Sequence, residues 1–303
     1  MPLRYYEALQ VVLSQTRDVI CTSNRLTADE AFQAAEAFIQ ENSQKWRLET
    51  PGIRYEDPFC RMAYLYMNAT IHATLVEHAC KKYREISELI KGKISRGEDI
   101  HVCALGGGPG SELLGMVRFL ESQGVHDQPA YLDFTLVDCV REWDESWHAL
   151  KRGIDEQLRA EYGPRRMNWP AVISRSFLPL DVTRVSDFKD FATRFHSVDI
   201  FICCYLLSEI KGSVGLLEAT LQLLVNRAPQ GTLLLVIDRD ERRVREDAEH
   251  VIRGIAALSD IGQNQERGKM ESDVRDLGEW YMNIPSLPRQ SWQSFFHLAK
   301  KTA

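Results

Sequence analysis

From His101 onward the chain alternates short, uninterrupted apolar runs with amphipathic segments, and few folds satisfy that pattern. The apolar runs are HVCAL from 101, LDFTLVDC at 132–139, one within 171–182, VDIFICCYLL at 198–207 and GTLLLVID at 231–238. Each is short for a helix and too continuous to keep one face in water, as expected of a strand buried on both sides. Between them SELLGMVRFLESQG, REWDESWHALKRGIDEQLRAEYG, VSDFKDFATRFH and GLLEATLQLLVNRA carry apolar residues at helical spacing. Strands alternating with helices give an α/β fold, a mostly parallel sheet covered on both faces. SWQSFFHLAKK, near the end of the sequence, supplies a further strand.

Residues 1–100 read as a helical extension. Tyr6, Leu9, Val12 and Leu13 recur on one helical face, and Thr27 with Glu30 forms a capping box ahead of a second helix. Residues 44–58 carry Pro51, Gly52 and Pro58 and read as a loop. A long helix is expected from Pro58, with Tyr64, Met67, Ile71, Leu75 and His78 on one face, continuing after a break to Lys93. The densely charged stretch 238–250 reads as a solvated helix face.

Composition excludes several classes. The 303 residues carry a net charge of −6, whereas tight binding to bare nucleic acid favours a basic face. No apolar run reaches the roughly 18 residues of a membrane span, and the first residues show no secretory signal pattern. The seven cysteines are odd in number and include no C-x-x-C pair, which suits buried thiols in a reducing compartment and no zinc site. The histidines show no metal-ligand spacing. The expectation is a cytoplasmic protein, the nucleus left open, with no membrane and no metal.

The most informative residues are Gly106, Gly107, Gly108, Pro109 and Gly110, directly after a strand and before a helix. Glycines there admit positive φ and a close backbone approach to a ligand, and the helix start presents N–H groups. The dinucleotide fingerprint G-x-G-x-x-G fails because its third glycine falls at Ser111, and a phosphate-binding Walker loop would need a lysine. G-x-G-x-G does fit. The next strand-end acid, Asp138, lies 32 residues after Gly106, past the roughly 20 of a dinucleotide fold. A carboxylate there can accept hydrogen bonds from both hydroxyls of a ribose, or cap a helix.

LGGGPGSELLG, TLVD, LPLDV and VDIFICCYLLSEI together resemble the motif series of class I S-adenosylmethionine-dependent methyltransferases, over about residues 101–303. The resemblance implies a Rossmann-like, seven-stranded, mostly parallel sheet forming the S-adenosylmethionine-binding domain, with residues 1–100 as a helical cap. It implies that Leu105, Gly106, Gly107, Gly108 and Gly110 line the cofactor, that Asp138 holds the ribose, and that Asp181 and Val182 meet the adenine edge. Cys203, Cys204 and Tyr205 would lie at the end of the fourth strand, beside the sulfonium; apart from the resemblance, the Tyr64/Tyr66 pair reads either as part of a helical lid that covers the cofactor or as core packing. One position departs from the series: Ala104 stands where the family usually has an acid, leaving Glu112, Tyr64 or Tyr66 as substitutes. The glycine loop alone is also similar to that of eukaryotic methyltransferases linked to ribosomal RNA.

Glu209, just after the fourth strand, is a candidate general base, with Tyr205 as a hydrogen-bond donor beside it; helix-start and packing roles are the alternatives. Cys203 and Cys204 invite a nucleophile reading, but an apolar strand accounts for buried thiols. Trp280, Tyr281 and Trp292 flank a proline-broken segment that either shapes an acceptor pocket or forms a satellite cluster. The expected function is methyl transfer to a small molecule or protein, with RNA less favoured. The alternative is an inactive fold that binds the cofactor as sensor or scaffold. An NAD-dependent dehydrogenase would need a different loop spacing.

Overall fold

The computed structural model describes residues 4–45, 53–123, 131–162, 171–210, 212–270 and 272–302. Four helices come first: α1 (Tyr5–Asn24), α2 (Ala28–Lys45), α3 (Pro58–Lys82) and α4 (Arg84–Ser95). The sheet and its helices follow as β1 (Ile100–Leu105), α5 (Ser111–Ser122), β2 (Tyr131–Val137), α6 (Trp143–Tyr162), β3 (Ala171–Leu178), α7 (Val185–Lys189), β4 (Ile200–Cys204), α8 (Leu206–Glu209), α9 (Val214–Arg227), β5 (Leu233–Arg239), α10 (Arg242–Gly254), β6 (Leu258–Lys269), α11 (Glu279–Asn283) and β7 (Ser291–Lys301).

The seven strands lie in the order β3-β2-β1-β4-β5-β7-β6. The strands β1 to β5 pair in parallel, and β7 runs antiparallel to both β5 and β6. The expected seven-stranded, mostly parallel, Rossmann-like sheet is therefore present. The strand order reverses between β1 and β4, and ligands of open α/β sheets bind outside the carboxyl ends at such a switch point. Register fixes what meets there. Leu105 is level with Val137 on one side and Cys203 on the other, so Gly106, Asp138 and Cys204 leave the sheet in one row.

Local rules account for the helical part. Thr27 and Glu30 close a capping box, with Thr27 N–H 2.8 Å from the Glu30 carboxylate and Glu30 N–H 3.3 Å from the threonine hydroxyl. The Asp57 carboxylate accepts from the Phe59 N–H at 2.9 Å, and Pro58 occupies the first turn of α3. The break after α3 falls at Tyr83, whose hydroxyl donates to the Phe296 carbonyl at 3.1 Å.

Three expectations change. First, α3 is not one-faced: Met62, Leu65, Ala69, Ala73 and Val76 are buried as well as Ile71 and Leu75, because α1, α2 and α5 all pack on it. Second, β6 is a strand with no apolar signature. It lies at the sheet edge, is paired only with β7, and is mostly exposed or half-buried, so hydrogen bonding rather than burial defines it. Third, Trp280 is fully buried in the helical cap, edge-on to Phe32 with ring centroids 4.9 Å apart, and Trp292 packs against His78 and Phe296. One hydrophobic cluster runs from Tyr5 through α3, α5 and one sheet face to Leu298, and a second fills the other face beneath α9 and α10.

Candidate functional site

The glycine turn begins where β1 stops. The Gly106 and Gly107 N–H groups both donate to the Val137 carbonyl, at 2.8 and 3.3 Å, which folds the chain back across β2. Gly106 has φ +65°, and a Cβ there would lie 2.6 Å from Leu206 Cδ1. A side chain at this position is therefore disfavoured by conformation, and it would also have to push the Leu206 side chain aside. The turn closes with Gly110 N–H on the Gly107 carbonyl at 2.8 Å, and α5 starts at Ser111.

Asp138 follows β2 directly. Its Oδ2 accepts from the Gly108 N–H at 2.9 Å and its Oδ1 from the Val140 N–H at 2.9 Å. Burial pushes this carboxyl up to about 6, against the pull of the two N–H groups. Asp181 shapes the turn after β3, accepting from the Thr183 N–H at 2.9 Å and hydroxyl at 2.7 Å. After β4 the chain turns through Tyr205, a non-glycine residue at φ +58°, in a strained region that clusters at functional sites. That turn delivers Leu206 and Glu209 to the strand ends. Glu209 is exposed at the rim, and its carboxyl is raised by desolvation in the cleft, with Asp138 and Asp238 adding to the effect and Arg239 opposing it.

These segments meet around one cleft. Of the residues expected at a site, Tyr64, Gly106, Gly108, Asp138, Asp181, Val182 and Glu209 line it. Leu105, Gly107, Gly110, Cys204 and Tyr205 do not. Leu105 packs in the cluster on the opposite sheet face. Gly110 sits under Trp147, and the buried Cys204 belongs to the sheet-face core. Tyr205 points away: its ring stacks on His72 with centroids 4.5 Å apart and its hydroxyl lies 3.0 Å from Ser294 Oγ. Trp280, Tyr281 and Trp292 are also absent from the lining.

The lining includes residues that periodicity did not single out. Tyr55 and Trp143 join Tyr64 in a triangle of rings with centroids 5.4 to 5.6 Å apart. Cys139, Val140, Leu180, Leu206 and Ile210 complete the wall. Position beside Asp138, Asp181 and Glu209 was the available signal for all of them but Tyr55, which falls in the segment 44–58 read as a loop. A larger cavity of about 520 Å³ lies between α1, α3 and α6, but it touches neither the glycine turn nor a strand end.

A family model described as "Putative SAM-dependent methyltransferase" matches residues 29–241. The chain belongs to this family. Its cofactor is S-adenosylmethionine. No curated protein matches the sequence. Among solved structures, the CurJ carbon methyltransferase is 12% identical over 96% of this chain and 71% of its own, with a TM-score of 0.44. The mitomycin 7-O-methyltransferase MmcR is 14% identical over 85% of this chain and 60% of its own, with a TM-score of 0.42. The magnesium protoporphyrin IX methyltransferase of Synechocystis PCC 6803, solved with bound SAM, is 11% identical over 88% of this chain and 97% of its own, with a TM-score of 0.38.

The residues present fit the family's cofactor. The glycine turn is a cradle that a Cβ would fill at Gly106. Beneath it Glu112, 2% exposed, has one carboxyl oxygen, Oε2, with no hydrogen-bond partner. Burial pushes that carboxyl up to about 8, with Asp138 adding to the effect. Asp138, Glu112, Glu209 and Asp238 thus gather four buried or cleft-lining acids, and each has its carboxyl raised by desolvation. An acid raised by burial ionises more readily once a cation lies beside it. S-adenosylmethionine carries one on sulfur and another on its amino group.

Proposed function

We propose that the chain transfers the methyl group of S-adenosylmethionine to an acceptor bound beside Glu209, over the ends of β4 and β5. The observation that carries this reading is the Gly108–Asp138–Glu209 cleft at the sheet's switch point, acid-rich and walled by aromatic rings. When bound, the cofactor supplies a methyl group on a positively charged sulfur, an electrophile that needs no metal or nucleophilic triad.

The protein's own part is positioning and proton removal. Asp138 accepts from the ribose diol with the lone pairs its two main-chain contacts leave over. Val182 and Asp181 border the adenine. Tyr64, with Tyr55 and Trp143, covers the cofactor from the helical side, so residues 1–100 act as a cap on the domain of residues 101–303. Glu209 takes the proton that an N–H or O–H acceptor loses as the methyl–acceptor bond forms and the methyl–sulfur bond breaks. Tyr205 stands behind this arrangement, ordering the β4 turn through His72 and Ser294 rather than touching the reacting atoms. A dinucleotide would instead bring its pyrophosphate charge beside Asp138 and Glu209.

Net charge favours a small molecule or protein side chain as acceptor. The test uses methyl-labelled S-adenosylmethionine, purified protein, and cell extract separated into small-molecule, protein and RNA fractions. Label is expected in one of the first two. Label in RNA alone reassigns the acceptor class. Tight cofactor binding without transfer to any fraction favours the sensor, and absence of cofactor binding overturns the reading.

A further inference from the structure

The position two residues before the first glycine of the turn is Ala104, fully buried on β1. The space beside its methyl group is not filled by a neighbouring apolar side chain alone. A Cβ built on Gly107 would lie 2.3 Å from Leu136 Cδ1, 3.1 Å from the Ala104 Cβ and 3.3 Å from Glu112 Oε2, so these three side chains flank the same point under the turn. Glu112 stands in the first turn of α5, and its carboxyl accepts from its own main-chain N–H. Its other oxygen, Oε2, is buried and unpartnered. The charge acting on Glu112 is the Asp138 carboxylate, and Glu112 in turn acts on Tyr64, Cys203 and Cys204. These neighbours are neutral or acidic, so among the groups acting on it no cation balances this carboxylate. A buried carboxyl with one oxygen unpartnered is costly to keep, the more so once ionised, unless a ligand completes it.

Resting on the cofactor reading above, we infer that Glu112 supplies from α5 the acid that β1 lacks at Ala104, and receives the ammonium group of the cofactor's methionine part. The acid has moved from the strand to the helix that follows the turn, on the other side of Gly107. A helix start alone explains an acid at this position by its dipole. It does not explain an oxygen that is turned into the interior with no partner.

The test is calorimetry with two probes on wild type and Glu112→Gln. S-adenosylmethionine carries the ammonium group, whereas 5′-methylthioadenosine keeps adenine, ribose and sulfur but has no amino-acid part. The glutamine variant is expected to bind S-adenosylmethionine at least tenfold more weakly and 5′-methylthioadenosine within twofold of wild type. Equal loss for both probes assigns Glu112 to holding the turn and overturns the inference, as does unchanged affinity for S-adenosylmethionine. Failure of wild type to bind either probe overturns the cofactor reading itself. Should the variant not fold, wild type alone decides against a deaminated cofactor analogue. A loss of tenfold or more is expected, and equal affinity for analogue and parent overturns the inference.

Discussion

The Asp138 carboxylate ties the end of β2 to the glycine turn after β1, its Oδ2 lying 2.9 Å from the Gly108 nitrogen. Its other oxygen holds the Val140 N–H at 2.9 Å. Asp138 is thus a structural brace before it is a ligand contact. Asp138→Ala removes both jobs: cofactor affinity should fall at least tenfold, the loss of a charge-assisted contact of about 1.5–3 kcal/mol. Asp138→Asn should weaken binding too and lower the melting temperature, since an amide nitrogen cannot accept from either N–H. Unchanged calorimetric affinity in the alanine variant would remove Asp138 from the site.

The acidic cleft predicts opposite pH trends for the empty and loaded protein. Burial raises Asp138 to about 6, Glu112 to about 8 and Asp238 to about 6, and desolvation in the cleft raises the exposed Glu209 as well, with Arg239 acting against the shifts at Glu209 and Asp238. A carboxyl that holds its proton more tightly folded than unfolded stabilises the fold below its unfolded range. That contribution is lost as pH rises through the folded value. The melting temperature of the empty protein should therefore decline between about pH 5 and 8. Affinity for the cationic cofactor should rise over about pH 6 to 8 as the acids ionise. Melting scans and titrations at fixed ionic strength check both, and Glu112→Gln or Glu209→Gln should flatten each curve.

How far this was legible in the sequence follows from which physics each element uses. Strands β1, β4 and β5 are almost wholly buried and announce themselves by hydrophobicity, β2 does so on one face and at its carboxyl end, and the parallel register then places Gly106 and Asp138 in one row. Strand β6 owes its existence to its pairing with β7, so LSDIGQNQERGK carries no such mark. Between the donor and packing roles open for Tyr205, adjacency to a strand end does not decide, because it does not reveal a left-handed turn that swings the ring toward His72. Glu112 was one of three substitutes for the missing acid, and only the fold brings its Oε2 beside Ala104 and Gly107.

Trp143 offers a direct optical reporter. Its ring lines the cleft and lies 5.6 Å from Tyr55 and 5.5 Å from Tyr64, centroid to centroid. A nucleoside entering between Asp138 and this triangle must change the solvation or stacking of the indole. Saturating S-adenosylmethionine should shift the intrinsic fluorescence, and Trp143→Phe should remove most of that change. A full signal in the phenylalanine variant would place the ligand elsewhere.

Gly115 reports on the docking of the helical cap. It sits within α5 where α3 crosses, and a Cβ there would lie 2.4 Å from the Ala73 carbonyl oxygen and 2.9 Å from Val76 Cβ. Backbone cannot yield as a flexible side chain can, so the two helices must separate. Gly115→Ala should destabilise by about 1–3 kcal/mol despite alanine's better helix propensity. A melting temperature equal to or above wild type would contradict this crossing.

Glu209 separates binding from chemistry. It lines the cleft from α8, exposed at the rim, with its carboxyl raised by desolvation, so the empty protein holds its proton more tightly than a free glutamate does. Glutamine imitates the protonated state, so Glu209→Gln should still bind the cofactor at pH 7, losing only the affinity that comes from ionising Glu209 in the loaded protein. The cationic cofactor then favours ionisation, which makes the carboxylate available as a base next to the acceptor. For an acceptor that must lose a proton, kcat of the glutamine variant should fall by about 10²–10⁴. The wild-type rate should climb with pH to a plateau set by the carboxyl in the loaded protein, whereas the variant's profile should be flat over the same range. A variant that keeps both the wild-type kcat and its pH rise would assign proton removal to another group.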